Sequence, residues 1–291
     1  MEEFVKYFYN IKIDKTINKG NRTILENKFK KYQLIKYNED SNELYKKYII
    51  LKKNGILCHD ILLNKDGKII SNYDDKNYLL LRDAINTKGN ITENELINSD
   101  LILNYKEENG LKNKWQIKND YYEEEINKVY KDNKYIKESF DYYIGLSELA
   151  ITLLNYVNFN NVMYYVQHNR LKYNESLIDY FNPINMVVDS RVRNIALYIK
   201  SNFFENDILF HDVVNIINKM NLNNDEAILF IARLLYPDYY FDLCDDIIDE
   251  NYNNDKLIIC IKKNVSYEAF LKKIYNYLYQ NYIIPKIEFF I

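Results

Sequence analysis

Glycine and proline are scarce in this chain, at six and three of 291 residues. No stretch resembles a glycine-rich phosphate loop, and neither a repeat nor a low-complexity segment suggests a solenoid or a linker. Cysteine is also rare. Cys58, Cys244 and Cys260 are widely separated and odd in number, form no CxxC pair and have no histidine at ligand spacing. They read as buried small apolar residues, not as a disulfide framework or zinc site, and His59 beside Cys58 does not alter that. No apolar run approaches the ~20 residues needed to cross a bilayer. The first residues, MEEFVKYFYN, lack both the basic start and the apolar core of a secretory signal. Charge of one sign is missing as well: 39 basic and 42 acidic residues alternate along the chain. That balance argues against general affinity for nucleic acid or an anionic membrane. A cytoplasmic protein is expected.

What the chain has instead is apolar content, 47% of residues, enough to bury a substantial core. It also has 30 tyrosines. Together with abundant Asn, Lys and Ile these fit an AT-rich coding sequence, and they read as core and surface filler rather than a stacking platform for bases.

The first third reads as strands around one helix. KYQLIKY (Lys31 to Tyr37) alternates, placing Tyr32, Leu34 and Lys36 on one face. Polar N-caps at Asn38 or Ser41 precede a helical stripe of Leu44, Tyr45, Tyr48 and Leu51, which Asn54-Gly55 stops in the left-handed region. HDILL (His59 to Leu63) and KIIS (Lys68 to Ser71) flank Asn64-Lys65-Asp66-Gly67, a pattern that predicts a hairpin. Tyr78 to Leu81 predicts a central strand, and the polar stretch after Arg82 and Asp83 marks a boundary. The expected division is an α/β lobe over 1–86 and a helical lobe over 87–291.

In the second part, helical stripes recur at Tyr143, Leu146, Ala150, Leu153 and Val157, at Ile228, Ile231 and Leu235, and at Phe270, Ile274, Leu278 and Tyr282. Two short β-prone runs interrupt them, Asn161 to Val166 and Met186 to Val188. The first feeds into Gln167-His168-Asn169-Arg170 and the second delivers Asp189. A carboxylate at a strand exit, facing a loop rich in His, Asn and Arg, suits Mg²⁺ and phosphate. The chain has six arginines, and Arg170, Arg191 and Arg193 fall in this window. Their bidentate forks suit phosphate or carboxylate. A plainer account makes Asp189 the N-cap of a helix from Ser190 to Phe204, buried through Val192, Ile195, Ile199 and Phe203, with the arginines paired to nearby acids.

This order of parts resembles the protein-kinase-like fold: α+β, two lobes, a small antiparallel-sheet N-lobe and a larger mainly helical C-lobe. It is similar to the aminoglycoside phosphotransferase-like kinases, above all to their degenerate spore-coat branch of Firmicutes. YQLIKY resembles the strand that carries the nucleotide-binding lysine, which implies Lys36 as phosphate contact and Glu43, or else Glu39, as its helix partner. DYYIGLSELAITLL resembles the helix before the catalytic loop. VVDSRVRNIALYIK resembles the metal-binding segment, which implies Asp189 as the Mg²⁺ ligand and Arg193-Asn194 as a structural pair.

The family's active members carry His-Gly-Asp, with Asn five residues after the Asp. This chain has His168-Asn169-Arg170, and Glu175 where the Asn would stand, with Asn174 one residue away as the implied cofactor contact, placed to slide by one residue and bind metal. Arginine stays protonated near neutrality and cannot accept a substrate proton. Three readings follow: a pseudokinase that binds ATP and Mg²⁺ in an inter-lobe cleft, a structural or coat-assembly protein with a defined protein partner and no nucleotide, and a weakly active small-molecule kinase using His168 or a neighbouring carboxylate.

Other candidates have plainer explanations. His211 has no ligand partners in sequence and reads as a surface or capping residue. Asp242, Asp245, Asp246 and Asp249 lack the pattern of a calcium loop and read as a solvated helix face. Tyr236 to Phe241 reads as packing at a turn fixed by Pro237. Trp115 fits either an inter-helix contact or a partner surface.

Overall fold

The computed structural model describes residues 1–20, 22–84, 89–98, 100, 110–126, 128, 133–248 and 254–290. These fall into two units, Met1–Ile91 with Asn174–Met186, and Thr92–Tyr173 with Val187–Ile291. The boundary expected after residue 86 lies outside the described residues.

The first unit is built on an antiparallel sheet of β1 (Lys15–Lys19), β2 (Arg22–Glu26), β3 (Lys31–Lys36), β4 (Asp60–Ile61), β5 (Ile70–Tyr73) and β6 (Lys76–Arg82). The order runs β1-β2-β3-β6, with both β4 and β5 on the far edge of β6. The register sets Leu34 opposite Leu80 and Lys36 opposite Tyr78. Tyr78 to Leu81 are all buried, as a continuous apolar run on a two-sided central strand requires. On one face Leu25, Leu34 and Leu80 pack with Phe4 and Val5 of the helix Glu2–Tyr9.

Two local expectations need correction. The residues flanking Asn64 to Gly67 do not pair with each other as a hairpin: β4 and β5 lie in tandem along β6, and the loop bulges out between them. Asn64 drives this. Its side chain accepts from the amides of Asp66 and Lys68 and donates to the Ile70 carbonyl and Ser71 Oγ, closing the loop on itself. The hairpin is β5–β6, turned by Asp74 and Asp75 at φ 52° and 54°. The second correction concerns the helix Ser41–Lys53. Its N-cap is Asp40, whose carboxylate takes the amides of Asn42 and Glu43. Gly55, at φ 71°, follows the helix end in the left-handed region as expected.

Residues 174–186 are tied to the sheet's unit at several points. Asp179 pairs with both terminal nitrogens of Arg22. His59 donates its backbone amide to Phe181 O, and its Nε2 bonds Ile178 O at 2.8 Å. Lys47 donates to Ile184 O at 3.0 Å.

Among its described residues the second unit's regular structure is helical apart from a two-stranded sheet of β7 (Tyr164–His168) and β8 (Met186–Ser190). The helix Asn224–Leu235 is its axis, buried continuously from Glu226 to Leu235 and packed on Lys134–Leu153 and Val192–Asn206. The expected stripes are the buried faces of Lys134–Leu153, Asn224–Leu235 and Asn264–Asn281, except that Val157 and Tyr282 lie beyond the ends of the first and third helices in extended backbone. Tyrosines fill this core by stacking: Tyr143 on Tyr240 at 3.6 Å between centroids, Tyr122 on Phe241 at 4.3 Å, and Trp115 on Tyr236 at 4.1 Å. Trp115 is thus an inter-helix contact. Among the described residues no helix is long and apolar enough to cross a membrane.

Candidate functional site

The end of β7 and the start of the helix Val192–Asn206 are locked by paired polar side chains. Asn194, fully buried, donates its amide to Gln167 Oε1 at 2.9 Å and accepts the His168 amide at 2.8 Å. Its Nδ2 also meets His168 Nδ1 at 3.1 Å. Arg193 donates to the carbonyls of His168, at 2.8 Å, and Asn169. Buried backbone ends of this kind must find partners, and these side chains supply them. His168 is itself 3% exposed, so its ring sits inside this lattice.

Asp189 lies at the exit of β8. It does not cap the following helix: that helix is Val192–Asn206, the residue before it is Arg191, and no side chain caps it. The reason is electrostatic. Arg193 donates to Asp189 Oδ2 at 2.7 Å, and Arg233 pairs with Oδ1, which also takes the Ser190 amide at 2.6 Å. Burial alone would push this carboxyl up, but Arg233 and Arg193 outweigh it and hold Asp189 down at about 2. The carboxylate therefore stays ionised, and two guanidiniums cover its charge.

The remaining arginines of the window are paired too. Arg191 grips Glu226, 1% exposed, with Nε at 2.7 Å and Nη2 at 2.5 Å. Arg170 meets Asp242 at 2.7 Å, with half of its side chain exposed. Burial raises the Asp242 carboxyl to about 6, against the pull of Arg170.

Lys36 and Glu43 are both exposed, and the structure does not pair them. Among the described residues Lys36 forms no salt bridge. Glu39 and Glu43 act instead on Lys47, raising the affinity for a proton that burial lowers. Asn174 is exposed at φ 57°. His211 is exposed and meets Asp212 at 3.0 Å. All three cysteines are free and buried, and burial lifts Cys244 and Cys260 to about 12, leaving them inert. Of the acidic run, Asp245 accepts from Tyr122 Oη at 2.7 Å, and Asp249 lies outside the described residues.

Mg²⁺ takes near-octahedral oxygen ligands, commonly one or two carboxylates with waters. Both oxygens of Asp189 are already engaged by arginines, and Arg233 stands buried beside it. Among the described residues no group of three or more His, Cys, Asp or Glu side chains could hold a metal. The residues at this position do not fit a divalent cation.

Arg233 is the site residue absent from the sequence motifs, and Asp242, expected on a solvated helix face, is instead half-buried and paired with Arg170. Arg233 had a visible signal: it is one cation inside the apolar run AILFIARLLY, where a charge implies a buried partner.

A family model described as "Spore coat putative kinase YutH" matches residues 2–274. Solved structures of similar fold include an aminoglycoside phosphotransferase from Alicyclobacillus acidocaldarius, with a TM-score of 0.58 at 10% identity, covering 92% of this chain and 93% of that one. The choline kinase LicA from Streptococcus pneumoniae matches with 0.58 at 8% identity, covering 95% and 98%. Spectinomycin phosphotransferase APH(9)-Ia, solved with ADP and spectinomycin, matches with 0.56 at 11% identity, covering 94% and 96%. At such identities the likeness is one of fold. No curated protein sequence matches significantly.

Proposed function

Because the chain belongs to the YutH spore-coat kinase family, we propose that it uses the kinase-like fold for binding and assembly in a coat-type complex, without Mg²⁺-dependent phosphoryl transfer. The observation that carries this reading is the clamp on Asp189. Phosphoryl transfer in this fold depends on a metal-holding carboxylate and a base that positions the acceptor hydroxyl. Here the carboxylate is committed to Arg193 and Arg233. Where the family resemblance places the base stands Arg170, a permanent cation committed to Asp242. His168 offers no replacement, since its ring is buried against Asn194. Charge that a metal would neutralise is neutralised by the protein itself, so the site supports a folded scaffold and not turnover.

A second reading, metal-free contact with a nucleotide, has one observation in its favour: Lys36 is exposed at the end of β3 and forms no salt bridge among the described residues. A phosphotransfer assay with ATP, Mg²⁺ and a panel of hydroxylated acceptors tests the main reading, with turnover at background as its expected result. ATP binding measured with and without EDTA separates the second: binding that persists in EDTA and is lost in Lys36→Ala would favour it.

A further inference from the structure

The arginines that clamp Asp189 also line a cavity in the second unit of ≈ 110 Å³. That is room for a few water-sized groups or one small ion. Its walls carry Lys118, Arg170, Arg193, Lys200, Arg233 and Asp238, with Trp115 and Tyr236 stacked on one another. Five cations thus face it. The acids that answer them are Asp189, Asp238 and Asp242, paired respectively with Arg193 and Arg233, with Lys200, and with Arg170. Lys118 stands 4.0 Å from the same Asp242. Three carboxylates against five cations leave the cavity positive.

Two of its buried donors are also unused. Among the described residues Arg233 Nε and Tyr236 Oη have no hydrogen-bond partner, although Arg233 is 7% and Tyr236 2% exposed. Leaving such groups unmet is costly, and both belong to residues lining one small basic cavity, so an acceptor with several oxygens that reached them through a small shift of the wall would recover that cost. Lys200 contributes charge only, because its three donors are spent on Arg233 O, Tyr236 O and Asp238.

We infer that this cavity is a binding site for a compact oxyanion of the phosphate type, drawn in by Lys118 and by Arg170 beside its pair with Asp242, and met by Arg233 Nε and Tyr236 Oη once the wall shifts to reach it. The site needs neither metal nor turnover, so it stands or falls apart from the assembly reading above.

The chain supplies its own reporter. Trp115, its one tryptophan, forms part of the wall. Tryptophan emission of the full chain is titrated with inorganic phosphate and with a phosphate monoester in EDTA, against sodium chloride at matched ionic strength. A saturable change with phosphate is expected, and saturation by the monoester alone would identify an esterified ligand. Lys118→Gln and Arg170→Gln lie at partly exposed positions and should each weaken binding about tenfold, the loss of one charge-assisted bond. Lys134→Gln, remote and exposed, should change nothing. Tyr236→Phe keeps the stacked ring and should weaken phosphate binding while leaving the ligand-free unfolding midpoint level or higher. No saturable response beyond chloride overturns the inference, and so does an affinity unchanged in Arg170→Gln and Tyr236→Phe.

Discussion

Arg233 reaches Asp189 across 44 residues of sequence, and the contact joins the exit of β8 to the most deeply buried helix of its unit. Arg193, four residues after Asp189, takes the other oxygen. The pair of arginines explains two things at once: why the carboxylate remains charged inside the protein, and why it has no oxygen to offer a cation.

Breaking this clamp from one side should be costly. Arg233→Met leaves Asp189 with one of its two arginines and should lower stability by about 3 kcal/mol, measured by urea unfolding. Arg233→Lys should recover only part, because an ammonium cannot reproduce the fork. A double variant, Asp189→Asn with Arg233→Met, should lose less than the two single losses added together.

The same pair shapes the acid limb of stability. Asp189 is held at about 2 in the folded chain, against about 3.9 when unfolded, so its contribution is fully present above pH 5 and fades as pH falls towards 2. The loss should be on the order of 2 kcal/mol. Asp189→Asn should flatten this limb, in unfolding experiments from pH 6 to 2.5. An unchanged slope would show that the ionised form is not favoured.

Asp242 should behave with the opposite sign. Burial raises it to about 6 despite Arg170, so the charged form is disfavoured on folding, and stability from this group rises as pH falls through 6 towards 4. Between pH 8 and 5 the wild-type midpoint should therefore gain on that of Asp242→Asn. A constant gap would contradict this.

The β5–β6 turn offers a local test. Asp74 and Asp75 both sit at positive φ, where an L-residue carries a penalty of roughly 1 kcal/mol. Replacing them with Asn-Gly should raise stability by up to about that amount, while Asp75→Val should lower it, as read from thermal midpoints.

How far these features could be read in advance depended on how local they were. The run Tyr78 to Leu81, the helix stop at Gly55 and the stripes of the helical unit, short of Val157 and Tyr282 at their ends, follow from side chains a few residues apart and are present. The Asn64 loop misled because Asp-Gly is a strong turn signal whichever strands it joins. What decides the pairing is β6, whose long edge accepts both flanking segments. The return of residues 174–186 to the first unit rests on Arg22 with Asp179 and on His59 with Ile178, contacts spanning 157 and 119 positions. The clamp on Asp189 was half legible. Arg193 lies one turn away, whereas Arg233 was visible only as a charge in an apolar helix, with nothing to name its partner.

The central claim is that Asp189 serves the protein's own arginines and not a metal. Thermal unfolding with millimolar Mg²⁺, with and without ATP, tests it most directly, since a ligand at 100 times its dissociation constant adds roughly 2.7 kcal/mol. No Mg²⁺-dependent rise in midpoint is predicted, in the wild type or in Asp189→Ala. A rise that requires Mg²⁺ and disappears in Asp189→Ala would contradict the account.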